Sequence, residues 1–379
     1  MKKIGLLTFH ASHNCGSMLQ TYALQHLLEE YGGDVKIINF SNEGQQELYS
    51  IMYKNNNIKN IVKNLLIFPK IHRVKKVSAS YEKFIDDNFN ITNEFYDRLQ
   101  QLNENKLDFD EYVCGSDQIW NITIKDSDDA YFLPFVNNHK KIAYAPSFGA
   151  KNPIKYANEI DLYKKYIKSF DYLSIRENNG QKWIKDMIDI EVPVVLDPTL
   201  VVNKEIYNKI EQKIDLPEKY IFYYAPGYMK DLNKFVYKVS KKYKLPVIVF
   251  NSKQFYVKRL WKYDFILPQS ENPGTYLYLM KNAELVFTTS FHGTIFSTIY
   301  NKKFWILKNG GMYGDDDRVK TLINQLGIQD RLIIPSFKDD IDYLCSIDYK
   351  EYNKKLEILK EKSINFLKEA LDSKYETKK

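Results

Sequence analysis

Cysteine is scarce and odd in number: Cys15, Cys114 and Cys345 stand far apart in 379 residues. Such spacing excludes a disulfide framework and a zinc ribbon, and it fits a reducing compartment. Long apolar runs are missing as well. No stretch approaches the ~18 residues that a spanning helix needs, although 44% of the chain is hydrophobic. The N-terminus, Met1-Lys2-Lys3 followed by Ile4 to Phe9, has no small-residue cleavage site, so no signal peptide is expected and a cytoplasmic protein is. There is no GxGxxG fingerprint and no internal repeat at solenoid spacing. His, Cys and carboxylate residues nowhere cluster at ligand spacing, so no required metal is expected; Asp315-Asp316-Asp317 reads as a solvated turn or a helix start before Arg318. Charge is only mildly one-sided, at a formal +7. The basic clusters Lys70-Ile71-His72-Arg73-Val74-Lys75-Lys76 and Lys378-Lys379 read as a solvated face and a frayed tail, with no nucleic-acid motif beside them. The positive excess also suits an anionic small substrate or an anionic membrane surface.

What the chain does contain is a succession of short buried strands that end in polar or small residues. The most telling runs from Glu284 to Phe296, ELVFTTSFHGTIF. Leu285 to Thr289 reads as a buried parallel strand, and Thr294 to Tyr300 as a helix. Between them lie Ser290, His292 and Gly293, where an α/β sheet binds ligands and a helix N-terminus favours anions. A structural histidine that caps the turn is the alternative for His292; its position favours a functional role.

The rest of the chain follows the same grammar. Strands are expected at Ile4–Phe9, Val35–Phe40, Glu111–Cys114, Lys141–Pro146, Tyr172–Ile175 and Val192–Leu196, with a helix over Ser17–Tyr31. A second set of strands follows at Tyr220–Tyr224, Pro246–Phe250, Leu285–Thr289 and Phe304–Leu307, the last leading into Lys308-Asn309-Gly310-Gly311. Helices are expected at Asp231–Tyr243, Pro273–Asn282 and Tyr349 to about Ala370. At this length two domains are the default. We expect an N-terminal Rossmann-like domain over 1–200 with a helical excursion at about 42–110, a C-terminal one over 201–345, and a helix and tail over 346–379. The tail helix could pack on the N-terminal domain or mediate a homodimer.

Several of the strand ends carry a family pattern. Phe9-His10 with Asn14-Cys15-Gly16-Ser17 and Leu19-Gln20-Thr21-Tyr22-Ala23-Leu24, then Cys114-Gly115-Ser116-Asp117-Gln118-Ile119-Trp120-Asn121 and Ser174-Ile175-Arg176-Glu177 come first. Val195-Leu196-Asp197-Pro198-Thr199, Thr289-Ser290-Phe291-His292-Gly293 and Asp317-Arg318-Val319 follow in order. Together they resemble the polysaccharide pyruvyl transferase family. The resemblance implies an α/β, GT-B-like fold of two Rossmann-type domains facing across a cleft. It also implies transfer of pyruvate from phosphoenolpyruvate, a co-substrate, to hydroxyls of a cell-surface or exopolysaccharide glycan or its lipid-linked precursor, with no other cofactor. One position departs from the pattern: Ser290 stands where family members often carry an arginine, and Arg318, Arg331 and Lys308 are the candidates to replace that charge.

Ketal formation needs a general acid/base and cationic donors for a carboxylate and a phosphate. His292 suits the acid or a phosphate contact, and Asp117 suits the base, with a turn cap as its structural alternative. Arg176 suits a bidentate anion clamp, its alternative being an ion pair with Glu177 or Asp171. Ser290, Gly293 and Arg318 complete the expected donor side, and His10, His13 and Asn14 the acceptor side. The expected partners are phosphoenolpyruvate and an oligosaccharide or lipid-linked acceptor; peripheral contact with the inner face of the membrane and a homodimer are left open. A nucleotide-sugar-dependent glycosyltransferase, with Glu271 or Glu284 on a ribose, is the alternative activity. A glycan-binding scaffold without catalysis is the third reading.

Overall fold

The computed structural model describes residues 1–309 and 316–373. Gly310, Gly311, Asp315 and the Lys378-Lys379 cluster, all singled out above, lie outside the described residues. The chain is α/β and divides into two units: Met1–Tyr49, Asn88–Asn203 and Lys355–Lys379 form the first, Ser50–Asp87 and Lys204–Lys354 the second.

The first unit carries β1 (Lys2–Leu7), β2 (Gly33–Ile37), β3 (Glu111–Gly115), β4 (Lys140–Tyr144) and β5 (Tyr172–Leu173). All pair in parallel, in the order β2-β1-β3-β4-β5. The strands are buried on both faces, which is why they read as near-continuous apolar runs. Below the sheet Trp120 stacks on Phe132 with ring centroids 5.1 Å apart and donates its indole N–H to the Tyr131 carbonyl at 3.1 Å.

The second unit carries β6 (Ile221–Tyr224), β7 (Val247–Val249), β8 (Leu285–Thr288), β9 (Phe304–Leu307) and β10 (Leu332–Ile333). Its order is β10-β9-β8-β6-β7, again all parallel. Numbered from each unit's own first strand, both sheets have the order 2-1-3-4-5. The chain is thus α/β with two Rossmann-type units, the same doubly wound topology in each.

Two expectations need correction. Val192–Leu196 forms no strand: it joins the sheet edge through a single bridge, Ile175 to Val194. Pro193 accepts from Ile175 N–H but has no N–H to extend the ladder. The excursion does not all belong with the N-terminal sheet, because Ser50–Asp87 is part of the second unit. Arg73 ties it there, donating to Ser252 Oγ at 2.8 Å and pairing with Glu271 at 3.1 Å. The tail helix, Tyr349–Asp372, joins the first unit from Lys355 on. There the buried Lys140 ammonium pairs with Glu111 at 2.7 Å and donates to the Ala370 carbonyl at 2.8 Å, a cation on a helix C-terminus. Leu196 N–H donates to Ser363 Oγ at 2.9 Å on the same helix.

Candidate functional site

In a 2-1-3-4-5 sheet the strand order reverses between strands 1 and 3, and ligands bind at the carboxyl ends there. The first unit's switch point lies between β1 and β3. It is bordered by the Thr8–Asn14 loop and the Ser116–Asn121 turn, two of the segments that carry the family pattern. Asn14 caps the helix Cys15–Glu30, its side chain accepting from Gly16 N–H at 2.9 Å. Ser17, in the first turn, donates its hydroxyl to Asp117 Oδ2 at 2.6 Å. Asp117 has φ 70°, a left-handed conformation that a non-glycine residue adopts at some cost. Its Oδ1 accepts Gln118 N–H at 2.8 Å and lies 3.7 Å from Arg176 Nη2.

Arg176 is buried, and its main partner is neither Glu177 nor Asp171. Its Nη1 lies 2.7 Å from Asp197 Oδ2, an ion pair with both side chains essentially out of solvent. Asp197 also accepts from Ser116 Oγ at 3.1 Å and from Thr199 Oγ1 at 2.6 Å, and it caps the helix Pro198–Val201. Glu177 turns instead to Ser147 Oγ at 3.0 Å and Phe148 N–H at 2.8 Å. The structure therefore joins Ser17, Asp117, Arg176, Asp197 and Ser116 into one buried network across the ends of β3, β4 and β5. Asp197 and the two serines are members that sequence reasoning did not assign to a site. For Ser116 and Asp197 the signal was a polar residue just past an expected strand end, which reads equally well as a turn; Ser17 lies in the first turn of a helix.

The remaining first-unit candidates hold local structure. His10 is buried, with Nδ1 3.4 Å from the Thr8 carbonyl and Nε2 3.2 Å from Asn39 Oδ1. His13 is half-buried beside Tyr49, ring centroids 5.8 Å apart. Near this turn burial pushes the Asp126 carboxyl up to about 6, with the Asp117 charge adding to the effect.

The second unit's switch point lies between β6 and β8, and the Thr289-Ser290-Phe291-His292-Gly293 turn leaves from it. The helix begins earlier than expected, at Phe291, and runs to Ile299. Ser290 is its N-cap: its Oγ accepts Gly293 N–H at 3.2 Å. That hydrogen bond takes the amide expected to face a phosphate. Gly293 has a packing reason of its own, since a Cβ there would lie 2.1 Å from Thr288 Oγ1. His292 is buried in the first turn, edge-on to Phe291 at 5.3 Å. Thr289 Oγ1, fully buried at the same turn, has no hydrogen-bond partner among the described residues.

The cations considered in place of the missing arginine part company. Arg318 is held by Asp316, with Nε 3.1 Å from Oδ2 and Nη2 on the same oxygen, and Asp316 also caps the helix Asp317–Leu326. Arg331 stacks on Trp305 at 4.6 Å and pairs with Asp330 at 2.5 Å. Lys308 follows β9 on the carboxyl edge, two residues beyond Ile306, the register partner of Thr288. It is half-buried and makes no ion pair among the described residues. No group of three or more His, Cys, Asp or Glu able to hold a metal occurs among the described residues.

The sequence profile of polysaccharide pyruvyl transferases matches residues 14–311, most of the chain. The chain belongs to the polysaccharide pyruvyl transferase family. No curated protein matches it at a significant level. Among solved structures it is similar to the UDP-GlcNAc 2-epimerase of Neisseria meningitidis bound to UDP-GlcNAc, at 11% identity and TM-score 0.46, over 98% of this chain and 100% of that one. It is similar to the UDP-N-acetylglucosamine 2-epimerase of Rickettsia bellii, at 10% identity and TM-score 0.48, over 98% and 97%. It is also similar to the E. coli heptosyltransferase WaaC with ADP, at 10% identity and TM-score 0.38, over 82% and 90%. At this identity and superposition nothing about the chemistry of a pyruvyl transferase family member follows from them. No helix among the described residues is long and apolar enough to cross a membrane.

Proposed function

We propose that this chain transfers pyruvate from phosphoenolpyruvate to two hydroxyls of one sugar in a cell-surface glycan or its lipid-linked precursor. The product is a ketal. In balance, the enol methylene gains a proton and becomes a methyl group. Two sugar oxygens bond to the central carbon, the C–O bond to phosphate breaks, and inorganic phosphate leaves. Of the two hydroxyl protons, one balances that taken up by carbon and the other leaves with phosphate.

The observation that carries the reading is His292 at the switch point of the second unit, within the segment that matches the family. A buried imidazole at a strand–helix turn suits delivery of a proton to the methylene carbon. Thr289 Oγ1 and Lys308 on the same edge suit the donor's carboxylate and phosphate oxygens. Arg176 pairs with Asp197 and lies beside Asp117, which Ser17 holds, contacts that support a role in positioning the first unit's loops. The glycosyltransferase alternative draws less support. Glu271 is buried and accepts Asn251 and Ser252 N–H, both at 2.8 Å, besides pairing with Arg73. Glu284 pairs with Lys303 at 2.7 Å at the amino end of β8, the edge away from the switch-point turn.

The test is phosphate release from phosphoenolpyruvate by the purified chain with pooled soluble and lipid-linked oligosaccharides. Acceptor-dependent release that is lost in His292→Ala, with folding retained, supports the reading. Stabilisation by a nucleotide sugar with no phosphate release would overturn it.

A further inference from the structure

The helix Ile58–Ile67 is patterned inside out. Its buried residues are Asn64 and Ile67. The Asn64 amide faces the unit and is fully engaged, accepting Tyr53 N–H at 2.9 Å and donating to the Tyr53 carbonyl at 2.9 Å and Asn55 Oδ1 at 2.8 Å. The opposite face is apolar and in solvent: Ile58 is 79% exposed, Ile61 43%, Val62 47% and Leu65 66%, with Phe68 at 68% just beyond the helix end. Spacings of 3, 4, 7 and 10 from Ile58 place these five on one stripe. A contiguous exposed apolar stripe of this kind marks an interaction surface.

Charge identifies the partner. From Leu48 to Tyr81 the sequence has six lysines and Arg73 and no acidic residue. The remaining 48 basic side chains are matched by the chain's 48 acidic ones, so this segment alone accounts for the net +7. Lys59 lies on the helix beside the stripe, and Lys70, Lys75 and Lys76 follow it; all four are exposed. A second copy of the chain would bring two such positive segments together and be repelled. A surface that is negative outside and apolar beneath is complementary on both counts.

We propose that this segment is a membrane-docking element. The Ile58–Phe68 stripe inserts shallowly among the headgroups of an anionic bilayer, while the flanking lysines contact those headgroups. The element lies parallel to the surface and does not span it, in keeping with its length of ten helical residues. The proposal goes beyond the reading of the reaction and does not depend on it.

The test is co-sedimentation of the full chain with vesicles of phosphatidylcholine, with and without phosphatidylglycerol. We expect binding to the anionic vesicles, weakening as salt rises, and at least about tenfold weaker binding to the neutral ones. Leu65→Ser/Phe68→Ser and, separately, Lys59→Glu/Lys70→Glu lower anionic binding by about tenfold or more. Both leave the thermal midpoint unchanged, because the altered side chains are exposed. Binding that both variants retain, or no binding of the wild type to either vesicle, would overturn the proposal. So would dimerisation that Leu65→Ser/Phe68→Ser abolishes while vesicles stay unbound. Phosphoenolpyruvate does not enter the assay, so its outcome is separate from that of the proposed reaction.

Discussion

Arg176→Met separates a positioning role from a donor-binding one. The change removes a buried guanidinium that lies 2.7 Å from Asp197 and 3.7 Å from Asp117. Asp197 would keep its donors from Ser116 and Thr199 but lose its counter-charge inside the protein. Breaking a buried pair by removing one member costs about 3–5 kcal/mol, because the stranded carboxylate retains its desolvation penalty. For a unit of this size each kcal/mol moves the midpoint by roughly 2–4 °C. The first unit's calorimetric transition therefore falls by about 6–20 °C. Adding Asp197→Asn removes the stranded charge and recovers part of that loss, a coupling that a double-mutant cycle reads directly. An unchanged midpoint together with a raised KM for phosphoenolpyruvate would refute the positioning account and return Arg176 to the donor.

Three further changes test neighbouring parts of the account. Asp126 has a folded-state pKa of about 6 against a reference of 3.8, so folding favours its protonated form. That stabilisation is complete below about pH 4 and is lost as pH rises through 6; Asp126→Asn should add up to about 3 kcal/mol at pH 8 and little at pH 4 by denaturant unfolding, and a pH-independent difference would contradict this. Gly293→Ala places a methyl 2.1 Å from Thr288 Oγ1, which already accepts Ser290 N–H at 2.9 Å. Overpacking there costs about 1–3 kcal/mol in the second unit's unfolding, and wild-type stability would show that the turn has room. Lys308→Met should raise KM for phosphoenolpyruvate roughly 10- to 100-fold with the thermal midpoint unchanged, the loss of one charge-assisted contact; an unchanged KM would remove Lys308 from the donor side.

The parts of this fold that are local in sequence were legible there. Leu285–Thr288 and Phe304–Leu307 announce themselves as buried parallel strands, and Pro273–Asn282 begins at its proline and ends where expected. What escaped depends on long-range pairing. Arg176 finds Asp197, 21 positions on, past the nearer Glu177 that a sequence reading pairs it with. Pro193 reduces an apparent strand to one bridge, and the two-residue β10 is too short to show a period. The allegiance of Ser50–Asp87 to the second unit rests on Arg73 reaching Glu271, 198 residues away. At the candidate site, the strand–helix turn was legible in the sequence but the way its groups are hydrogen-bonded was not. The capping of Gly293 by Ser290 and the tether of Arg318 to Asp316 are geometric facts with no compositional trace.

The central claim is that phosphoenolpyruvate carbon ends in a ketal on sugar. It is tested most directly by running the reaction in deuterium oxide and examining the oligosaccharide product by NMR and mass spectrometry. The account predicts an acceptor heavier by one pyruvate less one water, with a methyl group carrying a single deuterium on a quaternary ketal carbon, and no such product from His292→Ala. An acceptor that gains a sugar residue instead, or none that gains pyruvate from phosphoenolpyruvate, would contradict it.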